Sequence, residues 1–397
     1  MKESKPKGLL VSDLVTPTGF SRVTHSITKF LKDKYDFTGL GVNYRGDPHP
    51  YNFPIYPALS GIGHIYGFDR FVNLLSSNEY DFVYILNDPW IIDGYLRELE
   101  KVEIKNIPPM VVYFPVDSEE HDGDWFGLFP KYVKKAITYT EFGKKVVKKA
   151  APDLEVEVIP HGIDREVFYK THESRTDAKK YLFGPQVLNN LGKAEDLFII
   201  LNANRNQPRK RLDLTLRGFA QFAKDKPKTV KLYMHCGVRD ASIDIAKMAR
   251  RLDIDDRIIL TNLNIGVQTV SEEELNNIYN GTDVGINTST GEGWGLTNVE
   301  HAITGAAQIV PNHSACAEVF NGVGELIPTV TPITIDKQMT LGQLVSAEGV
   351  AESLEKVYSN KDYREQLADA GLEKFSRPEY QWENVAELFD SAFKDVI

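Results

Sequence analysis

Cysteine is scarce: Cys236 and Cys316 are the only two in 397 residues, too few for a disulfide framework. His235 beside Cys236 lacks the spacing of a metal site. Long apolar runs are missing as well, since nothing approaches the roughly 18 consecutive apolar residues of a membrane span. The opening MKESKPKGLLVSDL has charge but only a short apolar run, so no export signal is expected and a reducing, cytoplasmic setting is. An excess of basic charge is also absent. With 46 Lys and Arg against 56 Asp and Glu, and a net charge of -10, there is no global footprint for DNA or RNA, and nucleic acid is not an expected partner. Neither a solenoid repeat nor a low-complexity tract is present.

What is there belongs to an ordinary folded chain: 42% hydrophobic, 26% charged and 11% aromatic residues. Its length exceeds one compact core and suits two domains of roughly 150 to 200 residues. Short β-branched and apolar runs (GLLVSD, FTGLGVNY, DFVYILND, PMVVYFPVD, EVEVIPHG) take turns with helical patterns, which predicts a parallel sheet flanked by helices. The rhythm restarts at Asp196 with DLFIILNANR, TVKLYMHCG, RIILTNLN, DVGINTS and AQIVPN. The expected fold class is α/β, with two Rossmann-like doubly wound domains facing a central cleft. A polar stretch ending at a GPQ breaker puts the boundary near Gly184. The expected division is 1–184, 185–375 and a C-terminal helix in 376–397 that crosses back to the first domain, with Pro378 a break before it. In such folds ligands bind beyond the carboxyl ends of the strands, so the loops that follow strands carry the search.

The most informative loop lies in DVGINTSTGEGWGLTNVEHAITGAAQIVPN. A strand over 284–287 leads through Gly291, Gly293 and Gly295 into a helix beginning at Thr297, the arrangement that offers backbone N–H groups to a phosphate. The third glycine comes one residue too early for the dinucleotide fingerprint. Two carboxylates frame the loop. Glu292 reads either as a solvated loop acid or, among glycines that allow close approach, as a ligand contact. Glu300 reads as the partner of Thr297 in a capping box, as a ligand contact, or as both.

These residues carry a resemblance. GEGWGLTNVEHAITGAAQIVPN resembles the signature of family 4 retaining glycosyltransferases: Glu-Gly-aromatic-Gly-Leu, a second Glu eight positions after the first, then a Gly before an apolar strand. Here the pattern falls on Glu292, Gly293, Trp294, Gly295, Leu296, Glu300 and Gly305, with Trp294 where Phe is usual and His301 where Ala is usual. The resemblance implies the GT-B fold and transfer of a hexose from a GDP-mannose or UDP-hexose type donor to a hydroxyl acceptor. That acceptor would be a glycan, a glycoprotein or a lipid-linked molecule, and neither metal nor other cofactor would be needed. It assigns Arg205 and Lys210 to the donor diphosphate, with Arg209 and Arg211 as competitors. Glu292 would meet the sugar, Glu300 the ribose, and the amides around Gly295 and Thr297 the phosphates. Gly19, with Ser21 and Arg22, matches the family's turn near the donor phosphate. PHGIDREVF is similar to its hinge segment, with His161 in place of Asn.

The family's sugar-contacting His is missing; Val116 and Asp117 occupy its neighbourhood, and Asp117 or His121 is expected to take over a sugar or acceptor contact. Asp122 and Asp124 have the Asp-x-Asp spacing of metal-dependent glycosyltransferases of the other fold type. The segment from Lys131 to Lys149 reads as a basic helix, either a solvated face or a peripheral contact with an anionic membrane surface. Other activities on the same fold, a nucleotide-sugar epimerase or phosphorylase, and a non-catalytic nucleotide-sugar-binding protein are the alternatives.

Overall fold

The computed structural model describes residues 4–59, 64–261, 270–335 and 337–397. Their contacts divide the chain into two compact units, Met1–Gly162 with Pro378–Ile397, and Ile163–Arg377.

The first unit is built on seven parallel strands: β1 (Lys7–Ser12), β2 (Asp36–Gly41), β3 (Ile55–Pro57), β4 (Phe82–Leu86), β5 (Met110–Phe114), β6 (Val133–Thr138) and β7 (Val156–Val158), in the order 3-2-1-4-5-6-7. FVYIL in β4 and MVVYF in β5 are buried at every residue. Continuous apolar runs of this kind form because helices cover both faces of a parallel sheet. The chain builds outward from β1 through β2 and β3, then returns to place β4 on the other side, so the strand order reverses between β1 and β4.

The second unit repeats the plan with β8 (Phe198–Asn202), β9 (Val230–Met234), β10 (Ile258–Leu260), β11 (Val284–Ile286), β12 (Ala307–Pro311) and β13 (Glu325–Ile327), parallel and in the order 10-9-8-11-12-13. Its reversal falls between β8 and β11, which puts the loops after those two strands at the place where doubly wound sheets bind ligands. After β13 comes an antiparallel hairpin, β14 (Thr329–Thr334) and β15 (Leu341–Val345), which the sequence reading did not foresee. The last three residues of RIILTNLN lie outside the described residues.

Three local expectations are corrected. The division falls between Gly162 and Ile163. Gly184 sits instead at a kink inside the helix Arg175–Leu191, where its φ of 63° and the following Pro185 interrupt the helix without ending the unit. The lysine-rich segment is not one helix: a turn at Phe129–Tyr132 leads directly into β6, and only Glu141–Ala150 is a full helix. KAIT goes to the strand because Ala136, Ile137 and Thr138 fill a buried position beside β5. Three of its lysines are matched by acids: Lys131 by Glu100, Lys135 by Glu157, Lys148 by Glu155. The Asp122-x-Asp124 pair is explained by capping, since Asp122 Oδ1 accepts from Asp124 N at 2.9 Å to start the 3-10 turn Gly123–Phe126. Among the described residues no helix is long and apolar enough to cross a membrane.

The C-terminal helix Trp382–Lys394 follows a break at the 3-10 turn Pro378–Tyr380 and buries Trp382, Val385, Ala386, Phe389 and Phe393, an apolar stripe at helical spacing. Phe393 stacks on Phe82 at 4.5 Å between ring centroids. Beside it Asp390, 2% exposed, accepts from Lys34 Nζ at 2.8 Å, Tyr35 Oη at 2.8 Å and Lys394 Nζ at 2.7 Å. Burial pushes the Asp390 carboxyl up, and the bonds from Lys34, Lys394 and Tyr35 outweigh it, holding the group below its ordinary value. A carboxyl depressed in the folded state contributes stability above the ordinary carboxylate range and loses it as pH falls through the folded value. Asp390→Asn is therefore expected to cost about 2 kcal/mol at neutral pH. Chemical denaturation should show the difference from wild type shrinking as pH is lowered past the carboxylate range.

Candidate active site

The loops after β8 and β11 are stitched together before any charged group is considered. Thr290 N donates to Arg209 O at 2.8 Å, and Thr288 Oγ1 donates to Arg211 O at 2.9 Å. Between β8 and the helix Leu212–Ala223 the chain makes the 3-10 turn Pro208–Lys210 and passes Arg211 at a φ of 47°. That turn points Lys210 inward. Its Nζ donates to Glu292 Oε1 at 2.5 Å, and Arg209 Nη1 donates to Glu292 Oε2 at 3.3 Å and to Gly291 O at 2.9 Å.

Glu292 is 4% exposed, not a solvated loop acid. Its backbone N–H donates to Ser314 Oγ at 2.9 Å, and its Oε1 also accepts from Asn287 Nδ2 at 3.0 Å. Burial pushes the Glu292 carboxyl up, but the charges of Lys210 and Arg209 and the bonds from Lys210 and Asn287 bring it down to about 2. Burial and neighbouring Arg209 lower the Lys210 ammonium, against the pull of Glu292. The buried Cys316 thiol is pushed up, by burial first and then by the Glu292 charge. A charged, hydrogen-bonded pair thus sits at the switch point of the second sheet.

Gly295, at a φ of 92°, precedes the helix Leu296–Ala302, whose first turn has no side-chain cap. The expected capping box does not form because the helix starts one residue early, leaving Thr297 inside it. Glu300, 1% exposed, accepts instead from Tyr279 Oη at 2.9 Å. Tyr279 lies on the helix Glu272–Asn280, whose end is clasped by the Arg175 guanidinium through the carbonyls of Tyr279 and Asn280. Trp294 is buried, while Gly293, Leu296 and Thr297 are half-buried.

The family resemblance assigned Arg205 and Lys210 to the donor diphosphate, with Arg209 as a competitor. Arg205 Nε donates to Asp240 Oδ2 at 2.8 Å in the loop after β9, and Arg209 shares Glu292 with Lys210. Arg211 pairs with Asp213.

On the first unit, Gly19 opens the helix Gly19–Leu31 after β1. Its cap Thr18 accepts from Ser21 N at 3.3 Å and donates to Asp13 Oδ2 at 2.8 Å. Asp13 is raised by burial, with the bonds from Asn43 and Thr18 opposing. Asp117 and His121 follow β5. Asp117 Oδ1 accepts from Ser118 Oγ at 3.1 Å. His121 is 7% exposed, packs edge-on against Trp125, and among the described residues has no hydrogen-bond partner on either ring nitrogen. Burial lowers it to about 4 despite the opposing Asp117 charge, so the ring is neutral near pH 7.

The architecture is that of GT-B glycosyltransferases. Sucrose-phosphate synthase from Thermosynechococcus elongatus superposes with a TM-score of 0.75 at 15% identity, covering 99% of each chain. A glycosyltransferase from Rickettsia africae gives 0.72 at 14%, also covering 99% of each. HepE from Anabaena, solved in complex with UDP and glucose, gives 0.70 at 14%, covering 98% of this chain and 100% of that one. A comparison with curated proteins finds no match. The family model described as Family 4 Glycosyltransferase in conflict systems matches residues 172–389, more than half of the chain. The chain belongs to that family and is a glycosyltransferase.

Lys210→Met removes the nearest partner of a buried carboxylate and is expected to cost about 3 kcal/mol. Arg205→Met breaks a half-exposed pair and should cost about 1 kcal/mol or less. Urea denaturation of the two variants checks the order.

Proposed function

We propose that the chain transfers a hexose, with retention at the anomeric carbon, from a UDP-hexose or GDP-mannose type donor to a hydroxyl acceptor. The observation that carries this reading is the convergence of Lys210 and Arg209 on Glu292 at the switch point of the second sheet. As the bond from the sugar to the diphosphate breaks, negative charge builds on the departing oxygen. Fixed cations at that position are among the largest contributions an active site makes to rate.

Those cations are paired with the protein's own carboxylates. A bound diphosphate would take over Lys210 and draw Arg205 from Asp240, leaving Glu292 to accept hydrogen bonds from sugar hydroxyls and to face the developing positive charge. Glu300 would accept from the ribose hydroxyls, and the uncapped turn at Gly295 to Thr297 would donate to phosphate oxygen. The acceptor proton would pass to the leaving diphosphate oxygen on the same face of the sugar, so no separate base is required. Asp117 and His121 are the proposed acceptor or sugar contacts. A neutral imidazole with two unpartnered nitrogens is suited to a hydroxyl. Because Lys210, Arg209 and Arg205 supply the positive charge, no divalent metal is required in this scheme. HepE, solved with UDP and glucose, and trehalose-6-phosphate protein solved with UDP-2-fluoro glucose favour a UDP donor by likeness of fold.

Release of free UDP or GDP from a panel of nucleotide sugars, followed in EDTA, tests the proposal. One donor should be turned over, and Glu292→Ala should slow it by roughly a hundredfold. Activity that appears only with manganese, or survives Glu292→Ala, contradicts it.

A further inference from the structure

Cations hold Glu292 on one side; a row of buried amides holds it on the other. Asn287, just past β11, donates from Nδ2 to Glu292 Oε1 at 3.0 Å and to Asn298 Oδ1 at 3.0 Å, while its own Oδ1 accepts from Ser289 N at 2.8 Å. Asn298 donates to Gln308 Oε1 at 2.9 Å, and Gln308 donates to the backbone carbonyl of Ala306 at 3.0 Å. The three side chains are 0%, 4% and 1% exposed.

The ends of this row fix its polarity. The Ala306 carbonyl and the Glu292 carboxylate can only accept, so each amide between them has one orientation in which its nitrogen faces an oxygen along the row. Flipping any one of them would set carbonyl against carbonyl in a buried site, where an unmade hydrogen bond is expensive. The room for this arrangement is built into the sheet. Gln308, in the apolar strand AQIVP, is paired in register with Gly285, and a Cβ on Gly285 would lie 2.1 Å from Gln308 Oε1.

We infer that Asn287, Asn298 and Gln308 form a positioning relay that aims the Glu292 carboxylate, with the Gly285 gap as its seat. The relay rests on reading Glu292 as the group that meets the donor. Among the described residues Gln308 is hydrogen-bonded to neither Glu292 nor Lys210, so its influence runs through the two asparagines.

Glutamate-selective 13C labelling, with Glu292→Gln to assign the signal, reports the Glu292 carboxyl without any substrate. The charged or titratable groups facing it are Lys210 and Arg209 from the loop after β8 and Cys316 from the helix Ser314–Val319. In the wild type the signal should titrate at about 2. Asn287→Ala, Asn298→Ala and Gln308→Val should each move its midpoint up, by about one pH unit or more for Asn287→Ala and by a decreasing amount along the row. Gly285→Ala, which removes no polar group but crowds the Gln308 amide, should shift it in the same direction. A purely structural role would lower the melting temperature of Gln308→Val and Asn298→Ala and leave the Glu292 midpoint where it was; that result overturns the relay. Donor turnover by Glu292→Ala is a separate measurement, so loss of the relay and loss of the donor assignment are told apart.

Discussion

A carboxylate sealed from water must be matched by charge and hydrogen bonds, or it takes up a proton. Glu292 meets that constraint with Lys210, Arg209 and Asn287, and much of the second unit serves to bring these groups together. Lys210 and Arg209 come from one loop, Glu292 from another, separated by more than eighty residues of chain. They meet because the doubly wound order places β8 and β11 side by side, and because Thr288 and Thr290 bond one loop to the other. The topology supplies the proximity, and the charge pair makes that proximity specific.

The distribution of cations gives the site its chemical character. Four side chains on the loop after β8 have carboxylate partners of different burial: Lys210 and Arg209 are bound to a buried one, Arg205 to Asp240 nearer the surface, and Arg211 to its neighbour Asp213. Exchange is easiest where water screens the pair, so Arg205 gives up its partner more readily than Lys210. On the proposed reading, an incoming diphosphate would meet Arg205 as the more readily released cation and Lys210 as the more firmly held one.

Much of this was legible in the sequence. The strands of both sheets announced themselves as apolar runs between turn signals, and the spacings of Glu292 to Glu300 and of Arg205 to Lys210 carried the family resemblance. What stayed hidden depended on contacts remote in sequence. No local pattern says that Arg205 will turn to Asp240 and leave Arg209 beside Glu292. The Thr297 and Glu300 pair has the spacing of a capping box, but Gly295 lets the helix begin a residue earlier, and Tyr279 claims the carboxylate. Lysines from 131 to 149 suggested one basic helix until burial of Ala136 to Thr138 beside β5 made part of it a strand. The signal for the amide row was present as an oddity: a Gln within AQIVP and a Gly in the facing strand. Neither residue means anything until their register is known.

Binding of the donor diphosphate by Lys210 in exchange for Glu292, as proposed, is open to direct test. Calorimetric titration of UDP and of GDP, in EDTA, into the wild type, Lys210→Met and Glu292→Gln tests this directly. The account predicts that one nucleotide binds the wild type, that Lys210→Met weakens it by roughly tenfold or more, and that Glu292→Gln binds it as well or more tightly because the competing carboxylate is gone. Unchanged affinity in Lys210→Met, or its loss in Glu292→Gln, would contradict it.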